Sequence, residues 1–252
     1  MSEPVFVAFA TQKGGVGKST LTALVASYLH YNEGVNVLAM DCDDRQHSLK
    51  DYRDQDNLVT EENPILKKAL YSFYKNFKKK AYEIVLTNPK EAIRLISEKL
   101  NAGANPDVVF FDITGTINDP DIVMLLSVMD YIFVPVTIDT ADMKSSIRFA
   151  SHVVNKMITT NKTKIKALRL VWNKIPTRTK PNLCEIVDKY MSELGLESLE
   201  SVLTNSCKFY KDGAVSGKTA LFRSTVLPPD KQLLKGSNLP ELVAEIRETI
   251  KV

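Results

Sequence analysis

A glycine-rich segment follows the first apolar run of the chain, and it limits the possible folds more than any other feature. Residues 5–10 are almost continuously apolar, which is typical of a strand buried on both faces of a parallel sheet. The chain continues as Gln12-Lys13-Gly14-Gly15-Val16-Gly17-Lys18-Ser19-Thr20, and a helical pattern begins at Ser19. A glycine-rich turn from a strand into a helix directs backbone N–H groups and the positive end of the helix dipole at a polyphosphate. The segment therefore predicts a phosphate-binding loop.

Individual residues of this loop have predictable roles. The three glycines permit close approach of the backbone to phosphates, Lys18 is placed to reach the β- and γ-phosphates, and the Ser19 hydroxyl is placed to ligate magnesium. We therefore predict that ATP and Mg²⁺ bind here. The predicted nucleotide contacts are Gly14, Gly15, Val16, Gly17, Lys18, Ser19 and Thr20. The usual pattern GxxxxGK[ST] has a glycine where this chain has Gln12, and Lys13 instead precedes the glycine pair.

Apolar runs of strand length alternate with helical patterns along the whole chain. The predicted strands are 5–10, 35–40, 108–111, 131–136 and 167–172. The predicted helices are 19–31, 64–80, 89–101, 119–129, 142–159 and 181–194, and Pro64, Pro89 and Pro181 lie at helix starts. This alternation predicts an α/β fold with a single doubly wound, mainly parallel sheet flanked by helices. No linker or internal repeat interrupts it, so we expect one domain over residues 1–252.

Composition excludes several classes of protein. The three cysteines, Cys42, Cys184 and Cys207, lie far apart without a CxxC pair, which argues against a disulfide scaffold, a zinc site or a cluster-bridging site. The first apolar run begins within a few residues of Met1, which leaves no room for a signal peptide. No apolar run approaches the roughly 18 residues of a membrane span. We therefore expect a cytoplasmic protein without stable membrane insertion.

The loop and four later segments together resemble the ParA/MinD superfamily of ATPases, over essentially the full chain. KGGxGK[ST] is similar to the deviant Walker A box of that superfamily, and the preceding Gln12 is closer to the ParA form. The segment Asp41-Cys42-Asp43-Asp44-Arg45-Gln46 is similar to the switch I box of the family, and Val108-Val109-Phe110-Phe111-Asp112 is similar to its Walker B strand. The segment Tyr131-Ile132-Phe133-Val134-Pro135-Val136 is similar to the next strand of the family, and Asn173 matches a family asparagine after a further strand. The segment Phe222-Arg223-Ser224-Thr225 and the closing helix more weakly resemble ParA-type ATPases encoded beside conjugative-transfer genes.

This resemblance implies a set of residue roles. Asp112 would hold magnesium through a water, Asp41 would support the magnesium shell, and Asp43 would position the attacking water. Asn173 would read the adenine. Lys13 would reach across a dimer interface to the phosphates of the partner subunit, so that ATP holds a homodimer together and a ParB-like or other activating protein stimulates slow hydrolysis.

Two segments depart from the family pattern. Asp44 replaces the proline that usually follows the second aspartate of switch I. After Walker B the chain has Ile113-Thr114-Gly115-Thr116 where partition ATPases commonly have a proline pair. The second departure lies in switch II, which relays the nucleotide state to partners, so the relay differs while the hydrolytic residues are retained.

Charged residues are distributed unevenly along the chain, and this distribution indicates an anionic partner. Acids predominate before residue 143, whereas residues 143–182 contain ten lysines and arginines and no acid. A second basic cluster comprises Lys67, Lys68, Lys75 and residues 78–80. Non-specific DNA binding is largely phosphate neutralisation, so we expect an ATP dimer that binds duplex DNA and associates with the nucleoid, in partition or conjugative transfer of a mobile element. The expected DNA contacts are Lys156, Lys162, Lys164, Lys166, Lys208, Lys211, Arg223, Lys231 and Lys235, with residues 78–80 as a second choice.

The sequence leaves two other functions open. A MinD-like ATPase would position proteins on a membrane or a secretion or transfer complex. Membrane forms end in a basic amphipathic helix, whereas residues 239–251 pair one apolar face with Glu241, Glu245 and Glu248, which predicts a helix docked on the core. An iron–sulfur or reductase relative is disfavoured by the scattered cysteines.

Overall fold

The computed structural model describes residues 3–43, 46–114, 117–160, 162–176, 179, 182–205 and 221–252. Six strands form one sheet: β1 (Val5–Thr11), β2 (Val37–Asp41), β3 (Glu83–Leu86), β4 (Val108–Thr114), β5 (Tyr131–Val136) and β6 (Ala167–Trp172). Their order is β3-β2-β4-β1-β5-β6, and every pair of neighbours is parallel. The predicted parallel α/β fold is therefore confirmed. One domain over residues 1–252 stays a prediction.

The order of the strands explains where a ligand site can form. β1 lies in the middle, and the chain extends the sheet on one side through β2 and β3 before it crosses to β5 and β6 on the other. Such a reversal opens a crevice at the carboxyl ends of the central strands. The register places Thr11 opposite Thr114 and Asp41 opposite Asp112 at this edge. The acids predicted for switch I and Walker B are thus neighbours.

Nine helices flank the sheet in the described part of the chain. They are α1 (Lys18–Tyr31), α2 (Ser48–Glu62), α3 (Pro64–Asn76), α4 (Pro89–Asn101), α5 (Pro120–Ser127), α6 (Thr140–Val153), α7 (Asn182–Glu193), α8 (Lys231–Leu234) and α9 (Leu239–Ile250), and a π-helical turn at Val154–Ile158 extends α6. One buried cluster contains side chains of α1, α2 and α9, and a second contains side chains of α4, α5, α6 and α7. The sheet is therefore covered on both faces, which explains why its central strands are apolar throughout.

Local sequence determines where several helices begin. Pro64 and Pro89 start α3 and α4, and the preceding Asn63 and Asn88 accept hydrogen bonds from backbone N–H groups of the first turn. Proline suits this position because its missing N–H would have no helical partner. The starts predicted at these two prolines are confirmed. The start predicted at Pro181 lies outside the described residues.

The closing helix packs on the core as its pattern predicted. Leu239, Leu242, Val243, Ile246 and Ile250 of α9 are all buried. No helix in the described ranges combines the length and the apolar character that crossing a bilayer requires.

Candidate nucleotide-binding site

The glycine-rich segment forms a loop between β1 and α1 whose backbone needs glycine at two positions. Gly15 has φ of 82° and Gly17 has φ of 96°, in the left-handed region that other residues rarely adopt. Gly17 is also the N-cap of α1, and no side chain caps this helix. The first N–H groups of α1 therefore point towards the mouth of the loop without a side-chain acceptor, which is the arrangement that binds phosphate.

Gly17 is required for a second reason, which is its contact with Asn173. A Cβ at position 17 would lie 2.4 Å from Nδ2 of Asn173. That Nδ2 donates to the Val16 carbonyl at 2.8 Å, and Oδ1 of Asn173 accepts from the backbone N–H of Lys174 at 2.9 Å. Asn173 thus braces the loop from the end of β6. Its predicted contact with adenine stays a prediction, for which the amide has a second N–H and a second lone pair.

A pocket of about 370 Å³ opens at this loop. Its lining residues come from the loop, the first turn of α1, the chain around the start of α2, and the end of β6. They are Gly14, Gly15, Gly17, Lys18, Ser19, Thr20, Asp43, Gln46, Ser48, Tyr52 and Lys174. The structure therefore brings the predicted loop residues and Asp43 together around one cavity.

Lys18 is the buried cation of the site. It is 5% exposed, and its Nζ donates to the Lys13 carbonyl at 3.0 Å, which closes the loop on itself. Burial lowers the pKa of Lys18, while the nearby carboxylates of Asp112 and Asp43 oppose that shift. The ammonium is thus held between the loop and two acids, where it can also reach a phosphate.

Asp112 is a buried carboxylate at the end of β4. Neither of its oxygens has a hydrogen-bond partner among the described residues. Burial raises the pKa of Asp112 to about 7, and the neighbouring Ser19 hydroxyl and Lys18 ammonium only partly offset this effect. A buried carboxylate without a partner normally requires a compensating group, and a divalent cation is one such group.

A magnesium ion fits these residues only together with a ligand. The described part of the chain contains no group of three or more His, Cys, Asp or Glu side chains that could hold a metal by themselves. The Ser19 hydroxyl and the Asp112 carboxylate are hard oxygen donors, and magnesium commonly completes its shell with substrate phosphates and water. These two residues are therefore suited to a metal that arrives with a polyphosphate.

The two switch I aspartates have different surroundings. Asp41 is fully buried, and its Oδ2 accepts from the N–H groups of Leu49 and Lys50, both at 3.0 Å, in the first turn of α2. Asp43 is 4% exposed, accepts from the Gln46 N–H at 3.2 Å and lines the pocket. Asp41 thus anchors the start of α2, and its predicted support of the magnesium shell stays a prediction. Asp43 is the switch I aspartate that lines the pocket, and its predicted role in positioning the attacking water stays a prediction.

Lys13 lies at the rim of the site rather than inside it. Its side chain is 42% exposed and forms an ion pair with Asp142 in the first turn of α6. The Asp142 carboxylate raises the pKa of Lys13 through this contact. Lys13 is therefore accessible to a second molecule, and one intramolecular contact competes for its charge.

Three pocket residues, Lys174, Ser48 and Tyr52, were not predicted from the sequence. Lys174 has φ of 57°, and its Nζ donates to the Gly15 carbonyl at 2.6 Å. Ser48 and Tyr52 come from the first two turns of α2, and Gln46 of the predicted switch I segment lies just before that helix. Lys174 directly follows the predicted Asn173, which is a usable signal, whereas nothing in the local pattern marks the α2 residues. Two sites differ from the family pattern, at Asp44 and at residues 113–116. Of these, Asp44, Gly115 and Thr116 lie outside the described residues.

A model of the CobQ/CobB/MinD/ParA nucleotide binding domain matches residues 7–213. No curated protein sequence matches the chain.

Several solved structures have the same fold at low sequence identity. The MinC:MinD cell division protein complex of Aquifex aeolicus has 18% identity and a TM-score of 0.62, over 99% of this chain and 97% of that chain. A ParA family ATPase from Chlorobium tepidum TLS has 16% identity and a TM-score of 0.61, over 97% and 98%. A putative plasmid partition protein from Borrelia burgdorferi B31, bound to AMPPNP, has 16% identity and a TM-score of 0.57, over 97% and 100%.

Proposed function

The chain belongs to the CobQ/CobB/MinD/ParA nucleotide binding domain family, and we propose that it forms an ATP-bound homodimer that binds duplex DNA without sequence preference. The family consists of P-loop ATPases, and the loop backbone, the buried Lys18 and the buried Asp112 support such an activity in this chain. The proposed DNA binding rests on residues 143–182. This stretch contains no acid, and several of its lysines are exposed. A partner protein would stimulate hydrolysis and release the dimer from DNA, in partition or conjugative transfer.

Phosphoryl transfer to water needs mainly positioning and charge stabilisation. In the proposed cycle the N–H groups at the start of α1 and the Lys18 ammonium stabilise the negative charge on the phosphates. Asp43 orients the attacking water, which it can do from the pocket wall. Magnesium, when bound, supplies further charge neutralisation, and Ser19 and Asp112 are the residues that would hold it.

Dimerisation depends on Lys13 in this proposal. A lysine that is exposed at the rim can extend to the phosphates of a partner subunit once its ion pair with Asp142 is exchanged. Because the two contacts use the same ammonium, Asp142 and the partner's nucleotide compete for it.

We expect Lys13→Ala to bind ATP as a monomer and to fail to form the ATP dimer, because the loop backbone and Lys18 are retained while the intersubunit contact is lost. Sizing chromatography with multi-angle light scattering, with ATP and without nucleotide, measures this. Asp142→Ala is the matched control, since it removes the same ion pair but leaves Lys13, and it should dimerise at least as well as the wild type. An ATP dimer of normal stability in Lys13→Ala would contradict the intersubunit role.

The structure separates the predicted DNA contacts into different groups. Lys156, Lys162 and Lys164 are exposed and form no ion pair with any described residue, whereas Lys166 pairs with Asp130 at 2.8 Å. In the second-choice cluster, Lys79 is held by Asn36 at 2.9 Å. Lys208 and Lys211 lie outside the described residues. The first three lysines are therefore the best candidates.

The DNA contact predicted for Arg223 is wrong. Its side chain is 6% exposed, and its guanidinium carbon lies 3.5 Å from the centre of the Tyr52 ring. A buried guanidinium stacked on an aromatic ring cannot contact a DNA backbone. The Phe-Arg-Ser-Thr segment is part of the folded core instead.

We expect Lys162→Gln and Lys164→Gln each to weaken binding to every duplex sequence and to lower the steepness of the salt dependence by about one unit, as for the loss of one phosphate contact. Fluorescence anisotropy with labelled random-sequence duplexes across a salt series measures both quantities. Lys166→Gln is the matched control, because it removes the same charge from a lysine already paired with Asp130, and it should change the slope less. Equal slopes for all three variants and the wild type would exclude this surface.

A further inference from the structure

One side chain of the pocket differs in kind from its neighbours. Tyr52, in the second turn of α2, is the one aromatic residue among the described residues that line the cavity, whose other walls are glycine, hydroxyl, amide and charged groups. Its ring is half-buried, so part of it faces the cavity. Its hydroxyl lies 3.4 Å from the Thr20 hydroxyl, within the first turn of α1. The ring therefore stands beside the phosphate cradle.

The ring is held from behind by Arg223. The guanidinium carbon of the buried Arg223 lies 3.5 Å from the centre of the half-buried Tyr52 ring, which is a close cation–π contact. One face of the ring is thus covered by Arg223, and Tyr52 also lines the pocket. This contact limits the rotamers of Tyr52 and does not involve its hydroxyl.

Arg223 itself belongs to a rigid polar network. Oδ2 of Asp56, one turn beyond Tyr52 on α2, accepts from the N–H and the hydroxyl of Thr225 at 2.6 and 2.7 Å. Arg53 donates to the Thr225 carbonyl at 3.0 Å and to the Tyr82 carbonyl at 2.8 Å. These bonds fasten the segment that carries Arg223 to α2. The segment that carries Arg223 is therefore tied to the helix that carries Tyr52, which favours their contact.

We propose that Tyr52 contacts the ribose and base of the bound nucleotide, with Arg223 as the residue that positions its ring. The loop N–H groups and Lys18 already supply the phosphate contacts, and an aromatic ring is a poor phosphate ligand. A ring suits the planar, apolar face of a base, and its hydroxyl suits a sugar hydroxyl. This proposal rests on nucleotide binding at the pocket, which the proposed function also requires.

Comparing ATP with inorganic tripolyphosphate separates the nucleoside contact from the phosphate contacts. We expect Tyr52→Leu to weaken ATP binding about tenfold, the order expected for one lost stacking contact, and to leave tripolyphosphate binding unchanged. Isothermal titration calorimetry with magnesium measures both affinities. Tyr71→Leu is the matched control, because Tyr71 is 73% exposed on α3 and does not line the pocket, and it should change neither affinity.

The outcomes distinguish this proposal from the proposed function. Equal losses for ATP and tripolyphosphate would show that Tyr52 only supports the loop, and an unchanged ATP affinity would show that it makes no contact. Either result overturns the proposal. A wild-type protein that binds neither ligand would instead overturn the proposed function.

A second variant retains an aromatic ring at position 52, so it tests the proposal even if Tyr52→Leu fails to fold. Tyr52→Trp gives the chain a second tryptophan in addition to the native Trp172. Trp172 is 1% exposed, and its ring N–H donates to Asp188. We expect ATP to change the fluorescence of this variant and tripolyphosphate to change it little, with wild type as the background. The absence of any ATP-dependent difference from wild type would also overturn the proposal.

Discussion

Replacing Lys18 with alanine is expected to lower the affinity for ATP by about two orders of magnitude. The ammonium is buried between the loop and the carboxylates of Asp112 and Asp43, so its loss leaves both the phosphates and these acids without a countercharge. Truncating one partner of a buried charge pair costs roughly 2–5 kcal/mol, or about thirtyfold to several thousandfold in affinity. Equilibrium titration with a fluorescent ATP analogue measures the change.

Lys174→Ala is the matched control for this experiment. It removes a lysine from the same pocket, but one that is exposed and that contacts only the Gly15 carbonyl among the described residues. We expect its effect to be several times smaller. If Lys18→Ala binds ATP as tightly as the wild type, the assignment of the loop as the nucleotide site is wrong.

Asp43→Ala is expected to reduce turnover by about two to three orders of magnitude while ATP affinity changes little. The substitution removes the carboxylate assigned to the attacking water and leaves the loop backbone, Lys18 and Ser19 in place. Groups that position or deprotonate a reacting water typically contribute 10²–10⁴-fold to a rate, by order of magnitude. Phosphate release at saturating ATP measures turnover, and sizing chromatography should show an ATP dimer that persists.

The control for Asp43→Ala is Asp54→Ala, an aspartate on α2 whose side chain is 57% exposed and paired with Lys50. It should hydrolyse ATP at the wild-type rate. Normal hydrolysis by Asp43→Ala, or a failure of that variant to bind ATP, would contradict the role given to Asp43.

Apolar pattern and glycine spacing were sufficient to predict the parallel sheet and the loop. β1 and β4 are buried on both faces, so their apolar runs are unambiguous, and the loop glycines sit where only glycine can adopt the backbone. The position of Asp112 beside Asp41 was predictable because the acid follows the apolar run of a central strand, whereas its role towards magnesium stays a prediction. These features depend on short stretches of the chain.

β3 and α2 were not predicted, and the reason is physical. β3 is a four-residue edge strand with exposed ends, so it lacks the continuous apolar run of a central strand. α2 has only three buried residues, Leu49, Asp56 and Thr60, and two of these are polar. A helix that is held by polar contacts has little apolar periodicity. Its position therefore depends on distant partners, chiefly Thr225 and Arg223.

The same cause explains the error on Arg223 and the omission of Tyr52. Both depend on contacts between residues about 170 positions apart, as the Asp56–Thr225 hydrogen bonds show. A local pattern cannot show which of many arginines is buried. Asp41 is a related case, because its bonds to the start of α2 depend on a helix that was not predicted.

The proposed function depends on whether ATP controls DNA binding. The most direct measurement is anisotropy of a labelled random-sequence duplex with wild-type protein, with ATP or ADP, across a salt series. We expect tight, sequence-independent binding with ATP, weak binding with ADP, and a steep salt dependence, because dimerisation joins two basic surfaces into one. Equal binding with both nucleotides, or no binding with either, would contradict the proposed function and would favour a protein-positioning ATPase.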